Sequence, residues 1–241
     1  MSEFLDSLAA NADQIGIAMA ETGFMLGFSL VAAVVLGLPL GVLIFLTRPG
    51  GPKEHRALWA VANLYVTVVR SFPFLLFVVF LIPLTRLLYG TTFGTGAATF
   101  PLCFVGVAIY ARLVEQILLE VPSGVLAAAR SMGADVLQTV WHFLLVEGRS
   151  GLVYALTSAA ISLVSYSTVL GIVGGGGLGD FALRFGYQEY DYPLMYSTIV
   201  IVIVCVLLLQ TVGERVSARL DKRSASAPSL HRSRRTLREA S

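Results

Sequence analysis

Residues 22–46 read TGFMLGFSLVAAVVLGLPLGVLIFL, and no side chain in this run carries a charge. A helix of about 20 apolar residues crosses the roughly 30 Å hydrocarbon core of a bilayer, so the run is long enough to span. Further charge-free runs follow at 87–111, 150–179 and 192–213. The chain is only 13% charged, whereas soluble domains carry about 25% charged residues. The sequence therefore predicts an all-α membrane protein.

A fifth span is predicted from the apolar segment 57–85, which one charge, Arg70, interrupts. We expect the span at 71–89, with 53–66 partly at the interface and Arg70 snorkelling to the headgroups. The alternative is a longer tilted helix from residue 60 that buries Arg70, and a buried intramembrane arginine is a functional residue by default. The predicted spans then cover about 20–46, 66–89, 92–112, 150–172 and 193–213.

Positive charges are unevenly distributed between the loops. The first 47 residues contain no Lys or Arg, and Arg86 and Arg184 are the only basic residues in the loops on that predicted side. Because Lys and Arg accumulate in cytoplasmic loops, the N-terminus is predicted outside and the C-terminus inside. Five spans independently require termini on opposite sides. The basic residues that set this orientation are Arg48, Lys53, Arg56, Arg112, Arg130, Arg149, Arg215, Arg219, Lys222 and Arg223.

The chain divides into three predicted regions: an external segment at 1–16, a transmembrane domain at 17–215 and a tail at 216–241. The tail is rich in Ser and Arg with few large apolar residues, so we expect it to be disordered in the cytoplasm. No catalytic residue or metal site is predicted. Cys103 and Cys205 lie in apolar runs, and the histidines are too far apart for metal-ligand spacing; they are His55, His142 and His231.

The cytoplasmic loop 112–149 contains the stretch VLAAARSMGADVLQTVWHFLLVEG at 125–148. Pro122 and Ser123 can start a short helix that Gly133 ends, and Asp135 can cap a second helix with Gln138 at the capping-box position. Two interpretations stay open: a hairpin bound to lipid at the interface, or a ridge that docks on a cytoplasmic partner. The second helix carries its apolar residues on one face: Val136, Leu137, Val140, Trp141, Leu144 and Leu145.

The same loop resembles the EAA loop of bacterial ABC importer permeases, in which Glu-Ala-Ala, three residues, Gly and nine residues precede Ile-x-Leu-Pro. Here the frame falls on Ala127-Ala128-Ala129, Gly133 and Phe143-x-Leu145-Val146, so Ala127 replaces the Glu and Val146 replaces the Pro. Over about residues 17–215 the chain resembles the permease subunit of methionine ABC importers. The segments that carry this resemblance are GLPLGVL (37–43), VRSFPF (69–74), IPLTRLLYGTTFG (82–94), ARLVEQILLEVPSG (111–124), GGGGLGD (174–180) and GYQEYDY (186–192).

This resemblance implies the type I ABC importer transmembrane fold and a homodimer seated on two cytoplasmic ATPase subunits. An extracytoplasmic substrate-binding lipoprotein would deliver an amino acid, with methionine in its D or L form as the implied substrate, for transport by alternating access. The helix after Gly133 would be the coupling helix. The implied coupling residues are Ala127, Ala128, Ala129, Gly133, Asp135, Val136, Leu137, Val140, Trp141 and Leu145.

ATP and Mg would bind the partner ATPase, because neither lysine of this chain follows a glycine as a P-loop requires. The chain is thus expected to be a transport subunit with no cofactor of its own, surrounded by membrane lipid and without a nucleic-acid partner. Two alternatives stay open: a permease of the same superfamily for another amino acid or an osmolyte, and a secondary transporter that works alone.

Two further segments are candidates for the transport path. Ser158, Ser162 and Ser165 share one helical face, followed by Tyr166, which fits a translocation path, a dimer seam or interhelical bonding. The GGGGLGD segment formally matches a dinucleotide fingerprint, but it follows a membrane span instead of a strand. We expect a flexible external turn where binding protein and gate meet, formed by Gly174, Gly176, Gly179, Asp180 and Tyr187.

Overall fold

The computed structural model describes residues 11–221, and every regular element in that part of the chain is helical. Predictions that concern 1–10 and 222–241, among them those on Lys222, Arg223 and His231, lie outside the described residues. The helices are α1 (Ala12–Thr47, with a π-helical turn at Ala33–Gly37), α2 (Arg56–Ser71), α3 (Phe74–Tyr89), α4 (Thr95–Leu119), α5 (Ser123–Ser131), α6 (Val136–Gln138, continued by the π-helical segment Thr139–Leu144), α7 (Leu145–Leu170, followed by a 3-10 turn at Gly171–Val173), α8 (Gly177–Phe181, continued by the π-helical segment Ala182–Gln188) and α9 (Tyr192–Leu220).

Among residues 11–221, four helices are long and apolar enough to cross a membrane: α1, α4, α9 and the Arg149–Val173 region that includes most of α7. The fifth candidate span is the pair α2 and α3, which is bent by 114°. The bend falls at Phe72–Pro73, because proline disfavours helical backbone in the residue before it, and Phe72 has an extended ψ of 130°. The structure therefore differs from the single span predicted at 66–89: residues 66–71 belong to α2, and α3 starts at Phe74.

The outer helices extend further than the hydropathy pattern predicts. α1 begins at Ala12, well before the predicted start near residue 20, and α9 continues to Leu220. Residues 216–220, which were assigned to the disordered tail, are therefore helical. A run of charges marks where a helix leaves the hydrocarbon, but it does not end the helix, since Arg and Glu are good helix formers.

The central helix of the bundle is α4, which packs against α1, α2, α3 and α7. Two glycines of α1 make the closest approach possible. A Cβ on Gly41 would lie 2.5 Å from the carbonyl oxygen of Ala111, and one on Gly37 would lie 2.9 Å from that of Val107. The GLPLG segment at 37–41 is thus a small-residue contact of the kind that brings membrane helices together.

The loops separate into two ends of the bundle. At one end, Gly94 donates a backbone hydrogen bond to the carbonyl of Gly174 (2.9 Å), next to the first turns of α1. At the other end, the Arg149 guanidinium donates to the carbonyl of Leu220 (3.1 Å), and Ser150 and Ser217 exchange hydrogen bonds. Arg48, Lys53, Arg130 and Arg215 belong to this second end, which is therefore the cytoplasmic one.

Candidate functional site

The cytoplasmic loop forms two short helices joined by a tight turn. α5 ends at Ser131, and Gly133 reverses the chain with φ +71°, a conformation that residues with a Cβ rarely adopt. The Ala134 N–H donates to the carbonyl of Ala129 (3.0 Å) across this turn. Ala127 and Ala128 are exposed, whereas Ala129 is fully buried. The Ala-Ala-Ala segment therefore presents a small, flat outer face.

The cap of the second helix has the form that the sequence predicts. The Asp135 carboxylate accepts from the Gln138 N–H (2.7 Å), and the Gln138 side chain accepts from the Asp135 N–H (3.0 Å). The Thr139 hydroxyl also donates to the carbonyl of Asp135 (2.7 Å). This reciprocal capping box satisfies the first amides of α6 and fixes the direction in which the helix leaves the turn.

The predicted apolar ridge of this helix is divided between two environments. Val140 and Leu144 are buried in a core formed with α1 and α4, so they are not free to dock on a partner. Leu137 and Trp141 remain 66% and 59% exposed and line a groove of about 370 Å³ beside the second half of α1. The spans therefore cover Val140 and Leu144, and Leu137 and Trp141 form the part of the ridge that stays open to a partner.

The second loop helix does not stop at the membrane surface. Residues 136–170 are helical without interruption, through α6 and into α7. Val146 stands in the place of the family's proline, so no proline ends the helix at this position. The helix continues through the bilayer to Leu170. Loop and span are one element, so a displacement of the loop is passed directly to α7.

A cavity of about 310 Å³ lies between α2, α3, α4 and α7. Three of the four predicted path residues line it, namely Ser158, Ser162 and Tyr166, and Arg70 lines it as well. Ser165 does not contribute to the lining, and its hydroxyl donates to the carbonyl of Ile161 (3.3 Å) in its own helix. The hydroxyls of Ser158 and Ser162 also donate to carbonyls within α7.

The cavity lies at mid-membrane depth. On its α4 side it is lined by Val105 and Ile109, which are near the middle of that helix, and Ser158 and Ser162 are near the middle of the α7 span. Arg70 lines this cavity from the end of α2, and its side chain is exposed.

Two tethers hold α2 at this depth. The hydroxyl of Tyr65 donates to the carbonyl of Phe104 (3.1 Å). Nearer the cytoplasmic end, Arg112 pairs with Glu115 (2.6 Å) and also donates to the Asn63 side chain (2.8 Å). Sequence reasoning missed this ion pair, although the spacing of three residues on one helix was a signal for it.

The glycine-rich segment is packed tightly and is not the flexible turn that we expected. The Glu21 carboxylate accepts from the Gly177 N–H (2.7 Å), and the Thr22 hydroxyl accepts from the Leu178 N–H (2.9 Å). A Cβ at Gly176 would lie 2.6 Å from the Glu21 carboxylate, and one at Gly179 would overlap the backbone of Thr168. The glycines therefore allow close packing of the turn on α1 and α7.

Two other residues predicted for this end occupy different environments. Burial raises the pKa of Asp180; Arg184 opposes this effect and the Glu21 carboxylate adds to it. Tyr187 is 61% exposed on the segment before α9. No cluster of His, Cys, Asp or Glu among residues 11–221 could hold a metal ion.

The helical bundle contains a polar mid-span cavity, and one wall of this cavity continues into a capped cytoplasmic loop. This arrangement is typical of the membrane component of a solute transport system. Residues 37–226 match the model of the family described as "Binding-protein-dependent transport system inner membrane component". The chain belongs to this family. It is a transport subunit rather than an enzyme, and it spans the bacterial inner membrane several times.

The relatives that match along most of the chain are methionine permeases by name. The chain is 40% identical over 215 residues to the "Probable D-methionine transport system permease protein MetI" of Vibrio cholerae, which covers 89% of this chain and 96% of that protein. It is 36% identical over 181 residues to the "Methionine import system permease protein MetP" of Bacillus subtilis, covering 75% and 82%.

Solved structures confirm the predicted fold. An inward-facing MetNI methionine ABC transporter matches with a TM-score of 0.84 at 38% identity, covering 86% of this chain and 96% of that one. An amino acid ABC transporter matches with a TM-score of 0.69 at 17% identity, covering 90% and 97%, which shows a shared fold alone.

Proposed function

We propose that this chain is the permease subunit of an ATP-driven importer that carries methionine, as the D or L form, inward by alternating access. The observation that carries this proposal is the continuous helix through α6 and α7, which joins the loop facing the cytoplasm to the serines of the mid-span cavity. The names of the relatives in Vibrio cholerae and Bacillus subtilis support methionine as the substrate.

The proposed assembly is a homodimer on two cytoplasmic ATPase subunits, to which an extracytoplasmic substrate-binding protein delivers methionine. ATP and Mg bind the ATPase subunits. On this chain, the ATPase would contact the exposed face of α5 at Ala127 and Ala128 and the turn at Gly133. Since Val140 and Leu144 are buried, their role is to hold the loop on the spans so that movement of the loop moves α7.

The external end of the bundle would hold the gate. The turn at Gly174–Gly179 is hydrogen-bonded to α1 and packed against α7, so it can follow a rotation of either helix. The exposed side chain of Tyr187 and the segment at 186–192 offer aromatic and acidic groups to a binding protein. The gate and the binding-protein contact are both inferred from the position and chemistry of these residues. Their test uses the complex with the partner proteins.

The test is reconstitution of the chain with its ATPase in proteoliposomes, with the binding protein and radiolabelled methionine outside. We expect uptake that requires ATP on the ATPase side. Uptake driven by an ion gradient without the ATPase would identify a secondary transporter instead. Uptake of another solute but not of methionine would leave the proposed assembly in place and contradict methionine as its substrate.

A variant separates the loop's role from folding. Ala128→Trp adds a bulky side chain on the exposed face of α5 and disturbs no packed core. We expect it to weaken ATPase association and abolish uptake. Ala57→Trp is the matched control, because Ala57 is equally exposed near the cytoplasmic end of α2 but outside the loop. Equal association and uptake in both variants would remove α5 from the contact.

A further inference from the structure

Arg70 is an exposed, charged side chain on the α2 wall of the mid-span cavity, and it has no ion-pair partner in the part of the chain that the structure describes. It lines the 310 Å³ cavity, and no acidic side chain is among the cavity's lining residues. A cation inside a membrane protein is costly unless an anion or water satisfies it. The nearest carboxylate along α4, Glu115, is already paired with Arg112. The cavity therefore offers one guanidinium to a visiting anion.

The opposite wall offers acceptors. The Ser158 hydroxyl donates to the carbonyl of Tyr154 (3.1 Å), and the Ser162 hydroxyl donates to that of Ser158 (3.0 Å). With their protons committed within α7, the two hydroxyl oxygens keep lone pairs for a donor that enters the cavity. An ammonium group carries three such donors and matches this wall.

The remaining lining is apolar. It consists of Val69 from α2, Phe72 and Phe74 beside the α2–α3 bend, and Val105, Ile109 and Leu113 from α4. The ring of Phe74 stacks on that of Tyr166 with centroids 4.6 Å apart, which fixes the tyrosine at the edge of the site. The volume is at the lower end of the about 300–1,000 Å³ of small-molecule pockets.

We propose that this cavity is a substrate subsite for a zwitterionic amino acid with an apolar side chain. The guanidinium of Arg70 binds the carboxylate with two parallel hydrogen bonds, the oxygens of Ser158 and Ser162 accept from the ammonium, and the side chain lies along Val105 and Ile109. The proposal rests on the proposed import of an amino acid and locates that substrate within the permease itself.

The position of the subsite connects binding to movement. Arg70 is at the end of α2, one turn before the bend at Pro73, whereas Ser158 and Ser162 belong to the helix that continues into the cytoplasmic loop. A bound zwitterion bridges these two elements. When α7 moves with the loop, the carboxylate and ammonium partners separate, and the substrate loses one half of its site.

The test uses the purified permease–ATPase complex without the binding protein, so that the binding protein does not contribute to the measured affinity. Equilibrium binding of radiolabelled L-methionine is measured for the wild type and for Arg70→Gln. We expect the loss of a bidentate charged pair to weaken binding about 10- to 100-fold. Arg86→Gln is the matched control, since Arg86 is exposed near the end of α3 and outside the cavity.

A second readout identifies the group that Arg70 recognises. Methioninamide lacks the carboxylate, so it should compete poorly with radiolabelled methionine for the wild-type complex. For the Arg70→Gln complex, methioninamide should compete as well as unlabelled methionine does. Arg70→Lys keeps the positive charge but lacks the planar guanidinium that forms two parallel hydrogen bonds. Its affinity for methionine should lie between those of the wild type and Arg70→Gln. The thermal unfolding midpoint of each complex and the amount of ATPase that co-purifies with it should equal those of the wild type, which separates the subsite from folding and assembly.

The outcomes are distinguishable from failure of the proposed function. Wild-type uptake of methionine with unchanged affinity in Arg70→Gln overturns the subsite and leaves the importer intact. An absence of saturable binding to the wild-type complex at millimolar methionine also overturns the subsite. Wild-type proteoliposomes that take up no methionine contradict the proposed function itself.

Discussion

Replacing Arg112 tests whether α2 is held inside the membrane by a buried ion pair. The side chains of Arg112 and Glu115 are only 20% and 11% exposed, and their closest N–O distance is 2.6 Å. Arg112→Met leaves the Glu115 carboxylate without its cation and the Asn63 oxygen without its donor. Removal of one partner from a buried pair costs about 3–5 kcal/mol, so we expect a loss of unfolding free energy in that range.

The double variant Arg112→Met/Glu115→Leu supplies the decisive comparison. Because apolar replacement of a whole buried pair is often neutral, we expect it to recover to within about 1.5 kcal/mol of the wild type. The unfolding free energy is measured by titration with SDS in mixed micelles. Losses below about 1 kcal/mol in both variants would match an exposed pair and refute the burial that we assign to this contact between α2 and α4.

Three further predictions concern packing, capping and pH. Gly41→Leu forces a side chain into the backbone of α4 and should cost about 1–3 kcal/mol in the same titration, whereas Gly23→Leu, which meets open space, should be silent. Asp135→Ala removes the cap of α6 and should cost about 1 kcal/mol, seen as faster amide exchange at 136–139; protection equal to the wild type would contradict the capping role. The pKa of Asp180 is raised by burial, so ionisation opposes folding above that pKa, and the penalty disappears as pH falls toward the ordinary value of 3.8. Asp180→Asn should therefore raise the thermal unfolding midpoint at pH 7 and lose this advantage in acid, and an advantage that grows in acid would contradict the sign.

Local chemistry made some features predictable from sequence. Asp135 and Gln138 are three residues apart and close a capping box among themselves, so no distant contact was needed to foresee it. Gly133 likewise marks its own turn through the positive φ that it adopts. The apolar spans followed from length and hydropathy, because the bilayer imposes both.

Features that depend on neighbouring helices were not predictable in the same way. Periodicity identified the apolar face of α6, but it could not tell that α1 and α4 cover Val140 and Leu144 while leaving Trp141 exposed. A hydropathy window also treated 66–89 as one segment. The proline at 73 was the available signal for the bend that places Arg70 on a different helix from α3.

The packing of the glycine-rich turn also depends on neighbouring helices and was not predictable from the sequence. Four consecutive glycines suggest freedom when they are considered as sequence, because glycine has the widest choice of backbone angles. In the structure, Gly174, Gly176 and Gly177 use that choice to adopt positive φ, and the turn is then locked by Glu21 and Thr22. Only the partners on α1 decide between a flexible and a packed turn.

The central claim is that the cytoplasmic loop and the mid-span cavity move together, because one helix connects them. A single cysteine at Ser162→Cys, with Cys103 and Cys205 replaced by serine, reports which side of the membrane reaches the cavity. In the complex with its ATPase, we expect a membrane-impermeant thiol reagent to label it from the cytoplasmic side without ATP and from the outside when vanadate traps the closed ATPase. Adding Ala128→Trp should abolish the switch. Labelling from one side only under both conditions, or a switch that persists in the Ala128→Trp variant, would contradict the account.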